Sequence, residues 1–554
     1  MSYHFHNRRS MMVLLLASFF FGACTKEVPN GALAGGEGET TSMRFEVRVA
    51  VDDTPRAVSQ DDEAGTEDER SVSSMAVLFD NLPYKVFASG LVNNPPAVAT
   101  PVFELVAKDA VRVTRLTTLL NAADPSSFSL NKNETIKLSD FDKLVNTTGG
   151  VGAFKDFLMT ATVEDSKNNV VIKPGVTKEQ AEQGGADSNN FAYDVERVLS
   201  RAQVRKADPF VLSDDVAADK GTLHVSELKY ALAGSAKEVY LYRDYAGATA
   251  KMDNTTAEYA GKTFVDDKTV PSTWKGTEAH PFLQRLSDYA GKTGAEADNF
   301  SAKSIPTGTP AAKDVIYFLE NSTAKQITGR GQLEYNRIAY VKIYGTFTPA
   351  KGYGYSYDAG TRQQSFPEVT SFPGGHYLIP VTKNKYDWLK KTVGTTADRQ
   401  DPNADMKFYV EGSNYFLVVD DPKGTFYLGK QTDRIYSRLD AALFDGNTRV
   451  TRYYGGKMVW LNPVNAQIAG SGNDTYVKNA DTRRNNIYDL TIDGIAGFGL
   501  PFDPIDPKDP NIPDHETPFA PEPDPHIYVD PLNSKILINA SVLDWNVSEM
   551  HFTF

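Results

Sequence analysis

The residues that could perform chemistry in this chain are scattered and form no recognised catalytic pattern. The eight histidines include no HExxH zinc motif, and neither a GxSxG nucleophile elbow nor a GxGxxG dinucleotide loop occurs. The tetrapeptide AGKT occurs at 260–263 and 290–293, but Thr256 and Leu286 stand where a phosphate-binding loop needs its first glycine. Carboxylates among the 71 acidic residues could pair as in a glycosidase, although no spacing marks such a pair. We therefore predict a protein that is not an enzyme and binds no cofactor.

A metal ion has one weak candidate site, in the segment 501–531. Ten of the 30 prolines lie there, interleaved with aspartates whose carboxylates could bind Ca²⁺. The segment lacks the Asp and Gly spacing of an EF-hand loop, so we predict no metal site. The prolines instead predict an extended, polyproline-like spacer over 501–531.

The composition describes an acidic globular chain with many sheet-forming residues. Of 554 residues, 41% are hydrophobic and 23% charged, which excludes a polytopic membrane protein, a collagen and a wholly disordered chain. A net charge of -13 repels phosphate backbones, so we predict no nucleic-acid partner. The 27 Tyr and 30 Phe, together with 41 Gly and 30 Pro, predict a mostly β fold with many turns.

The first 24 residues predict an export signal. Two arginines precede an apolar run at 11–21, which is shorter than the roughly 20 residues that span a bilayer. Cys24 is the sole cysteine and cannot close an internal disulfide. Because small residues precede it as in the lipobox of bacterial lipoproteins, we predict lipidation at Cys24, with conventional signal cleavage as the alternative.

Residues 43–52 carry the clearest strand pattern of the chain. Apolar side chains alternate there with polar ones, the period of a half-buried strand. The apolar positions are Met43, Phe45, Val47, Val49 and Val51. The acidic stretch that follows, 52–69, has no apolar period and predicts an exposed arm. Arg56 within the arm and Arg70 at its edge offer cleavage points to a trypsin-like protease.

This arrangement has two interpretations. One is an edge strand followed by a loop. The other is a removable strand, whose loss would open a groove where five apolar side chains had been buried. At about 1.5–3 kcal/mol for each side chain, the empty groove would cost on the order of 10 kcal/mol.

The body of the chain predicts antiparallel β-sandwiches in tandem. Short apolar segments punctuated by Gly, Asn and Pro recur throughout it. We place a domain boundary near Lys206, which gives an N-terminal domain over 57–206 and a C-terminal domain over 207–554.

The end of the chain predicts a terminal strand over 535–547. Apolar residues lie first on one face and then on the other, in the order Ile536, Ile538, Ala540, Val542, then Leu543, Trp545 and Val547. Such a strand on an extensible arm suits β-augmentation of a neighbouring molecule. A last strand docked in its own sheet is the equal alternative.

Taken together and in order, these features resemble the fimbrillins, the type V pilus subunits of Bacteroidetes-type bacteria. The resemblance covers most of the chain, and its individual motifs are loose. The residues and segments on which it rests are Cys24, the alternating strand, Arg56 and Ala57 before an acidic arm, SMAVLF at 74–79, FLMTA at 157–161, ERVLSRAQV at 196–204, RNNIYDLTIDGIAGFG at 484–499 and the final ILINASVLDW.

The resemblance implies two transthyretin-like sandwiches and a lipidated precursor at the outer membrane. An Arg-specific protease would cut between Arg56 and Ala57 and remove the prosegment 25–56, with Arg70 as second choice because it lies close to the first mature strand. The terminal strand of one subunit would then fill its neighbour's groove in a surface fimbrium. The implied partners are other fimbrial subunits, the protease, the membrane and surface ligands on host or bacterial cells. A stalk subunit of the minor fimbriae and an accessory tip subunit both stay open.

Two other function classes are kept as alternatives. A monomeric surface lipoprotein could bind glycan or protein through the cluster of Tyr353, Tyr355 and Tyr357. A secreted hydrolase with dispersed carboxylates is the third class.

Overall fold

The protein is described here by a computed structural model, and the prediction of a mostly β fold with antiparallel sheets is confirmed. Within the described residues, no helix combines the length and apolarity needed to cross a membrane. The described residues are 39–49, 66–79, 85–87, 105–107, 111–131, 134–150, 152–161, 166–186, 188–213, 216–242, 279–280, 282–321, 333–384, 386–387, 408–448, 450–469, 476–512, 529, 535–544 and 550–553.

The first ten described strands, apart from Thr135–Lys137, and the last one build the N-terminal sandwich, whereas Thr135–Lys137 pairs with Glu238–Tyr240 of the second region. The first ten strands and the last one are β1 (Glu39–Thr41), β2 (Arg44–Val49), β3 (Met75–Phe79), β4 (Lys85–Phe87), β5 (Leu105–Ala107), β6 (Val111–Leu120), β7 (Thr135–Lys137), β8 (Met159–Ala161), β9 (Lys167–Ile172), β10 (Asn190–Arg197) and β33 (Met550–Thr553). An eight-stranded sheet runs β33–β2–β10–β8–β6–β3–β4, with β9 paired to β6. Because β6 pairs with β9 along its first half and with β3 and β8 along its second, the strands enclose a common core.

The second region holds two sheets on a larger core. Its strands are β11 (Leu199–Leu212), β12 (Gly221–Leu223), β13 (Lys229–Ala233), β14 (Glu238–Tyr240), β15 (Lys303–Ser304), β16 (Ile316–Leu319), β17 (Tyr340–Pro349), β28 (Lys457–Pro463), β29 (Gln467–Ala469), β30 (Tyr476–Asn479), β31 (Asn486–Ile495) and β32 (Ile536–Asp544). One sheet has the order β16–β11–β31–β32, and the other has the order β12–β17–β13–β15 with β28 on β17. Most pairs are antiparallel, but β11 and β31 are parallel, as are β2 and β10.

A third core is formed by residues inserted in the sequence between β17 and β28. These two strands pair with each other. The strands of this insertion are β18 (Gly352–Tyr353), β19 (Ser356–Asp358), β20 (Gln363–Ser365), β21 (Glu368–Val369), β22 (Gly375–Val381), β23 (Phe408–Glu411), β24 (Asn414–Asp421), β25 (Phe426–Gly429), β26 (Arg434–Tyr436) and β27 (Val450–Tyr453). Sheets β21–β18–β26–β25–β27 and β22–β24–β23 build it, and β19 and β20 form a separate hairpin.

The helices are short and lie at the edges of the sheets. The α-helices are α1 (Glu67–Arg70), α2 (Phe141–Leu144), α3 (Lys178–Gln183), α4 (Ala295–Asn299) and α5 (Leu439–Phe444), and the 3₁₀ turns are Pro125–Ser127, Leu138–Asp140, Val225–Glu227, Leu286–Tyr289, Ala312–Asp314, Tyr335–Arg337 and Tyr454–Gly456.

The chain passes from the first sandwich to the second without a linker. Only Val198, fully buried, separates the end of β10 from the start of β11. The boundary predicted near Lys206 falls inside β11, which pairs with β16 and β31 of the second region.

The expectation of an extended spacer over 501–531 is wrong for its first part. Residues 501–512 form turns packed against the second sandwich, and their aspartates are almost fully buried. The physical reason is Lys342 on β17, a buried cation that these aspartates surround. Residues 513–528 and 530–534 lie outside the described part of the chain.

Candidate functional site

The strand predicted to be removable is β2, which lies next to the edge of the N-terminal sheet. It pairs in parallel with β10, with Phe45 opposite Phe191 and Val47 opposite Tyr193. On its other side β33 pairs with it antiparallel, with Phe45 opposite Phe552. The strand is therefore held between a central strand of its own sandwich and the end of the chain.

The apolar residues of β2 and of the residue before it fill the first core. Met43, Phe45 and Val47 are each 0% exposed. The Phe45 ring lies 5.5 Å from that of Phe191 and 6.3 Å from that of Tyr193, between ring centroids. Because strand side chains alternate between faces, the two spacings of two residues from Met43 to Val47 place all three side chains on the core side.

The other members of this core come from the strands around β2. They are Val72, Met75, Val77, Phe79, Val113, Leu116, Leu120, Met159, Ala161, Ile172, Tyr193 and Val195. Val49 ends β2, whereas Val51 lies outside the described residues. At about 1.5–3 kcal/mol for each of the three buried side chains, removal of β2 would forfeit roughly 5–9 kcal/mol.

A polar clamp fixes the start of this segment. The Thr41 hydroxyl, 1% exposed, donates to the Lys173 carbonyl at 2.5 Å and accepts from the Asn189 side-chain amide at 3.0 Å and from the Val176 N–H at 3.2 Å. The Asn189 carbonyl in turn accepts from the Arg44 N–H at 2.8 Å. The clamp sets the register of the strand, because a shift by one residue would move its hydroxyl out of reach.

The residues for processing lie around an arm that is only partly described. Cys24, Arg56 and Ala57 all lie outside the described residues. The description resumes at Thr66, which caps α1 in a capping box with Glu69. Arg70, the second cleavage candidate, is the last residue of α1.

Glu69 anchors α1 between the two sandwiches. Its carboxylate is 1% exposed, and one oxygen lies 2.8 Å from Arg201 Nη1. The Tyr317 hydroxyl donates to the other oxygen at 2.5 Å, and the Arg197 Nε donates to the Glu69 carbonyl at 3.3 Å. Burial, followed by the neighbouring Glu69 charge, raises the pKa of Tyr317 well above its ordinary value. Loss of the segment that ends at Arg70 would therefore remove a buried carboxylate that Arg201 and Tyr317 share.

The predicted terminal strand is docked on its own sheet as β32. It pairs antiparallel with β31 from Ile536 opposite Ile495 to Asp544 opposite Asn486. Ile536 and Leu543 are buried, Ile538 and Ala540 are half-buried, and Leu537 is 45% exposed on the outer face. Val542 lies in the strand opposite Tyr488, whereas Trp545 and Val547 lie outside the described residues.

The described acidic residues that could hold a metal ion are Asp503, Asp506 and Asp509. Their ligand atoms lie within 4.8 Å of one another. Lys342 Nζ stands among them, at 2.5 Å from Asp503, 3.4 Å from Asp506 and 3.0 Å from Asp509, and Arg285 binds Asp506 at 2.9 Å. The ammonium thus takes the position that a cation would need.

Charge balance explains the titration of this cluster. Burial lowers the pKa of Lys342, but the three carboxylates outweigh it and hold that pKa well above its ordinary value. Burial raises the pKa of Asp503. Burial also acts to raise the pKa of Asp506, but Lys342 and Arg285 outweigh it and lower that pKa. The cluster is a buried ion-pair network, which stabilises only while all its members are present.

The buried histidine of the described residues serves the backbone. His280 Nδ1 accepts from the Phe282 and Leu283 N–H groups at 3.1 and 2.9 Å, and Nε2 lies 3.1 Å from the Asn336 carbonyl oxygen. Burial, aided by nearby cations, lowers the pKa of His280 to about 3. Its neutral ring therefore joins the backbone at 282–283 to that at Asn336 by hydrogen bonds.

The tyrosine cluster of the adhesin alternative lies on the insertion. The Tyr355 ring centroid is 4.8 Å from that of Phe444 and 6.1 Å from that of Phe366, and Tyr357 is 51% exposed on the hairpin. Tyr353 is half-buried under the guanidinium of Arg434, 4.7 Å from its ring centroid.

Sequence reasoning missed three features of the site: the pairing of β33 with β2, the Thr41–Asn189 clamp and the buried Glu69. The clamp and Glu69 depend on contacts far along the chain and leave no periodic signal. The alternation of Met550 and Phe552 could have indicated a last short strand.

No family model matches the chain. No curated protein matches it either. Among solved structures, a fimbrilin from Porphyromonas gingivalis is 12% identical with a TM-score of 0.38, covering 92% of this chain and 99% of its own. A putative cell adhesion protein from Parabacteroides distasonis is 13% identical with a TM-score of 0.36, covering 92% and 98%.

A tip fimbrial protein from Porphyromonas gingivalis, truncated at its C-terminus, is 11% identical with a TM-score of 0.28 and covers 91% of this chain and 100% of its own. Bacteroidetes fimbrilins and putative cell adhesion proteins are thus among the solved structures to which this chain is similar.

Proposed function

We propose that this chain is a structural subunit of a bacterial surface fimbria that polymerises by donor-strand exchange. It is exported as a lipoprotein through Cys24, cleaved between Arg56 and Ala57, and joined to its neighbour by the C-terminal tail. Its function is adhesion, without catalysis. The fimbrillin-like order of motifs in the sequence supports this proposal.

The observation that carries the proposal is the burial of β2. A strand with three fully buried apolar side chains is followed by an acidic stretch that contains Arg56. Cleavage in that stretch would leave the strand held only by non-covalent contacts. Its departure would expose the backbone of β10 and an apolar groove, and a strand from another molecule can restore both.

The direct test is to treat purified precursor with an Arg-specific protease and to look for ladders on a gel without boiling. We expect ladders from the wild-type chain and none from Arg56→Gln, which keeps β2. N-terminal sequencing should find Ala57 at the new end. Monomers throughout, with residues 39–49 lost, would refute the proposal.

The lipid anchor needs its own test. We expect wild-type precursor to incorporate labelled palmitate and to partition with membranes, and Cys24→Ser to do neither. Equal labelling of both chains would refute lipidation at Cys24 and leave the polymerisation test unaffected.

A second candidate function, adhesion as a monomer, is favoured by the aromatic surface of the insertion. Tyr357 and Phe444 are 51% and 38% exposed, and aromatic rings of this kind stack on sugars or on protein side chains. Binding that persists after loss of the tail, by a full-length chain that never polymerises, would favour this candidate.

A further inference from the structure

Residues at both ends of the chain share a seven-residue pattern. Residues 41–47 have the sequence TSMRFEV, and residues 548–554 have the sequence SEMHFTF. Both begin with a hydroxyl side chain and have Met at the third position, Phe at the fifth and an apolar residue at the seventh. In residues 41–47, the side chains at the four shared positions are buried. Thr41 is 1% exposed, and the three apolar side chains are 0% exposed. The tail therefore repeats the part of the prosegment that contacts the core.

We propose that residues 548–554 of a second copy of this chain occupy the groove that β2 leaves. The inference rests on the proposed function and names the segment that enters the groove. The shared pattern places Phe552 at the position of Phe45 and Met550 at the position of Met43. Phe554 then takes the place of Val47.

Side-chain size supports this assignment. Phe45 is fully buried between the rings of Phe191 and Tyr193, so its replacement must match it closely to avoid a void or an overlap. Phe552 and Met550 are identical in type to the residues that they would replace. The groove would be refilled without repacking at these two positions.

The polar clamp supports a single direction for the incoming strand. With β2 gone, the Asn189 amide, the Val176 N–H and the Lys173 carbonyl lose the Thr41 hydroxyl that they share. A hydroxyl two residues before the methionine restores these contacts, and Ser548 stands there. This match requires a strand parallel to β10, which is the direction of β2.

The pairing of the tail in the structure, antiparallel to β2, shows which part of the tail the loss of β2 would release. Residues 550–553 form β33, which pairs with β2 and with no other strand in the described part of the chain. By contrast, β32 is paired with β31 along its whole length. Loss of β2 thus removes the strand partner of 550–553 and leaves β32 in place.

A second tail segment has a related pattern and is the rival occupant. Residues 541–547 read Ser, any, Leu, any, Trp, any, Val. An indole at the closed Phe45 position would overpack it, which destabilises a well-packed core. Leu543 is also already buried in its own sheet.

The test uses full-length chain that carries Phe552→Ala, cut by an Arg-specific protease, as acceptor. Fluorescent peptides of residues 546–554, the same peptide with Phe552→Ala, and residues 539–547 are titrated onto it and followed by anisotropy. We expect the first peptide to bind at least about tenfold more tightly than the second, since loss of a buried aromatic side chain costs more than the 1.4 kcal/mol of a tenfold change. Uncut acceptor, with its groove filled, should bind none.

The outcomes separate the inference from the function on which it rests. Binding of 539–547 without binding of 546–554 would overturn the inference and leave donor-strand exchange standing. Binding of neither peptide, while cut wild-type chain still forms ladders, would overturn it as well. Absence of ladders from cut wild-type chain would refute both.

Discussion

Phe45, which is fully buried, can contribute to stability only while β2 stays in place. Replacing this fully buried ring by Ala removes about 3–5 kcal/mol of unfolding free energy in the uncut precursor. We expect Phe45→Ala to lower the urea midpoint of the precursor strongly and to leave the processed chain unchanged. The matched control is Val171→Ala, at a side chain that is 42% exposed in the same sandwich. Its unfolding free energy should stay within about 0.5 kcal/mol of the wild-type value. An equal loss before and after cleavage would contradict the burial of Phe45 by a removable segment.

Lys342 is the residue on which the second sandwich depends most directly. Removing one partner of a buried ion-pair network costs about 3–5 kcal/mol, so Lys342→Met should lower the unfolding free energy by that amount at neutral pH. Lys351→Met is the control, because the Lys351–Glu368 pair, 2.9 Å apart, is exposed to solvent and should contribute little to stability. Equal effects in urea titrations of the two variants would contradict the burial of Lys342.

The same variant should invert the pH dependence of this cluster and bind calcium. Without the ammonium, burial and repulsion from the neighbouring carboxylates raise the pKa of Asp503 further above its unfolded value of about 4. Stability contributed by groups with raised pKa values is present at low pH and lost as the pH rises, so Lys342→Met should regain stability from neutral pH down to about pH 5. Added Ca²⁺ should raise its melting temperature and leave that of wild type unchanged. A Ca²⁺ response in wild type would contradict occupancy of the cluster by Lys342.

At the scale of elements, we expect α1 to limit which arginine an Arg-specific protease can reach. Glu69→Ala would leave Arg201 without its buried partner and release α1, so we expect new cleavage after Arg70 beside cleavage after Arg56. Timed digestion with N-terminal sequencing measures this, and Asp68→Ala, on the exposed side of the same helix, should behave as wild type. Equal cutting after Arg70 in wild type would show that α1 gives no protection.

The elements also show what can be read from the chain without its fold. Alternation was sufficient to predict β2 and β32, because a half-buried strand needs the period of two wherever it lies. The β33 pairing was not predictable, since it depends on both ends of the chain meeting. The Pro and Asp segment was misread because the same composition suits a solvated spacer and a set of turns around a buried cation. Only the fold shows that Lys342 lies beneath it.

At the scale of the whole molecule, the two sandwiches should unfold together. Val198 alone separates β10 from β11, and Arg197 Nη1 donates to the Asn485 side chain across the junction at 3.0 Å. Differential scanning calorimetry of the precursor should therefore give one transition for both sandwiches, with equal calorimetric and van't Hoff enthalpies. Two resolved transitions would show that the junction transmits no cooperativity.

The continuous run from β10 into β11 has a mechanical consequence. A strand bound along β10 would be connected to the tail leaving β32 through the covalent run from β10 into β11 and through the rows of backbone hydrogen bonds that join β11 to β31 and β31 to β32. Tension applied between those two points would load whole rows in shear, so many bonds must fail at once. A pull at right angles would instead unzip them one by one, and the molecule should therefore be strong along one axis and weak across it.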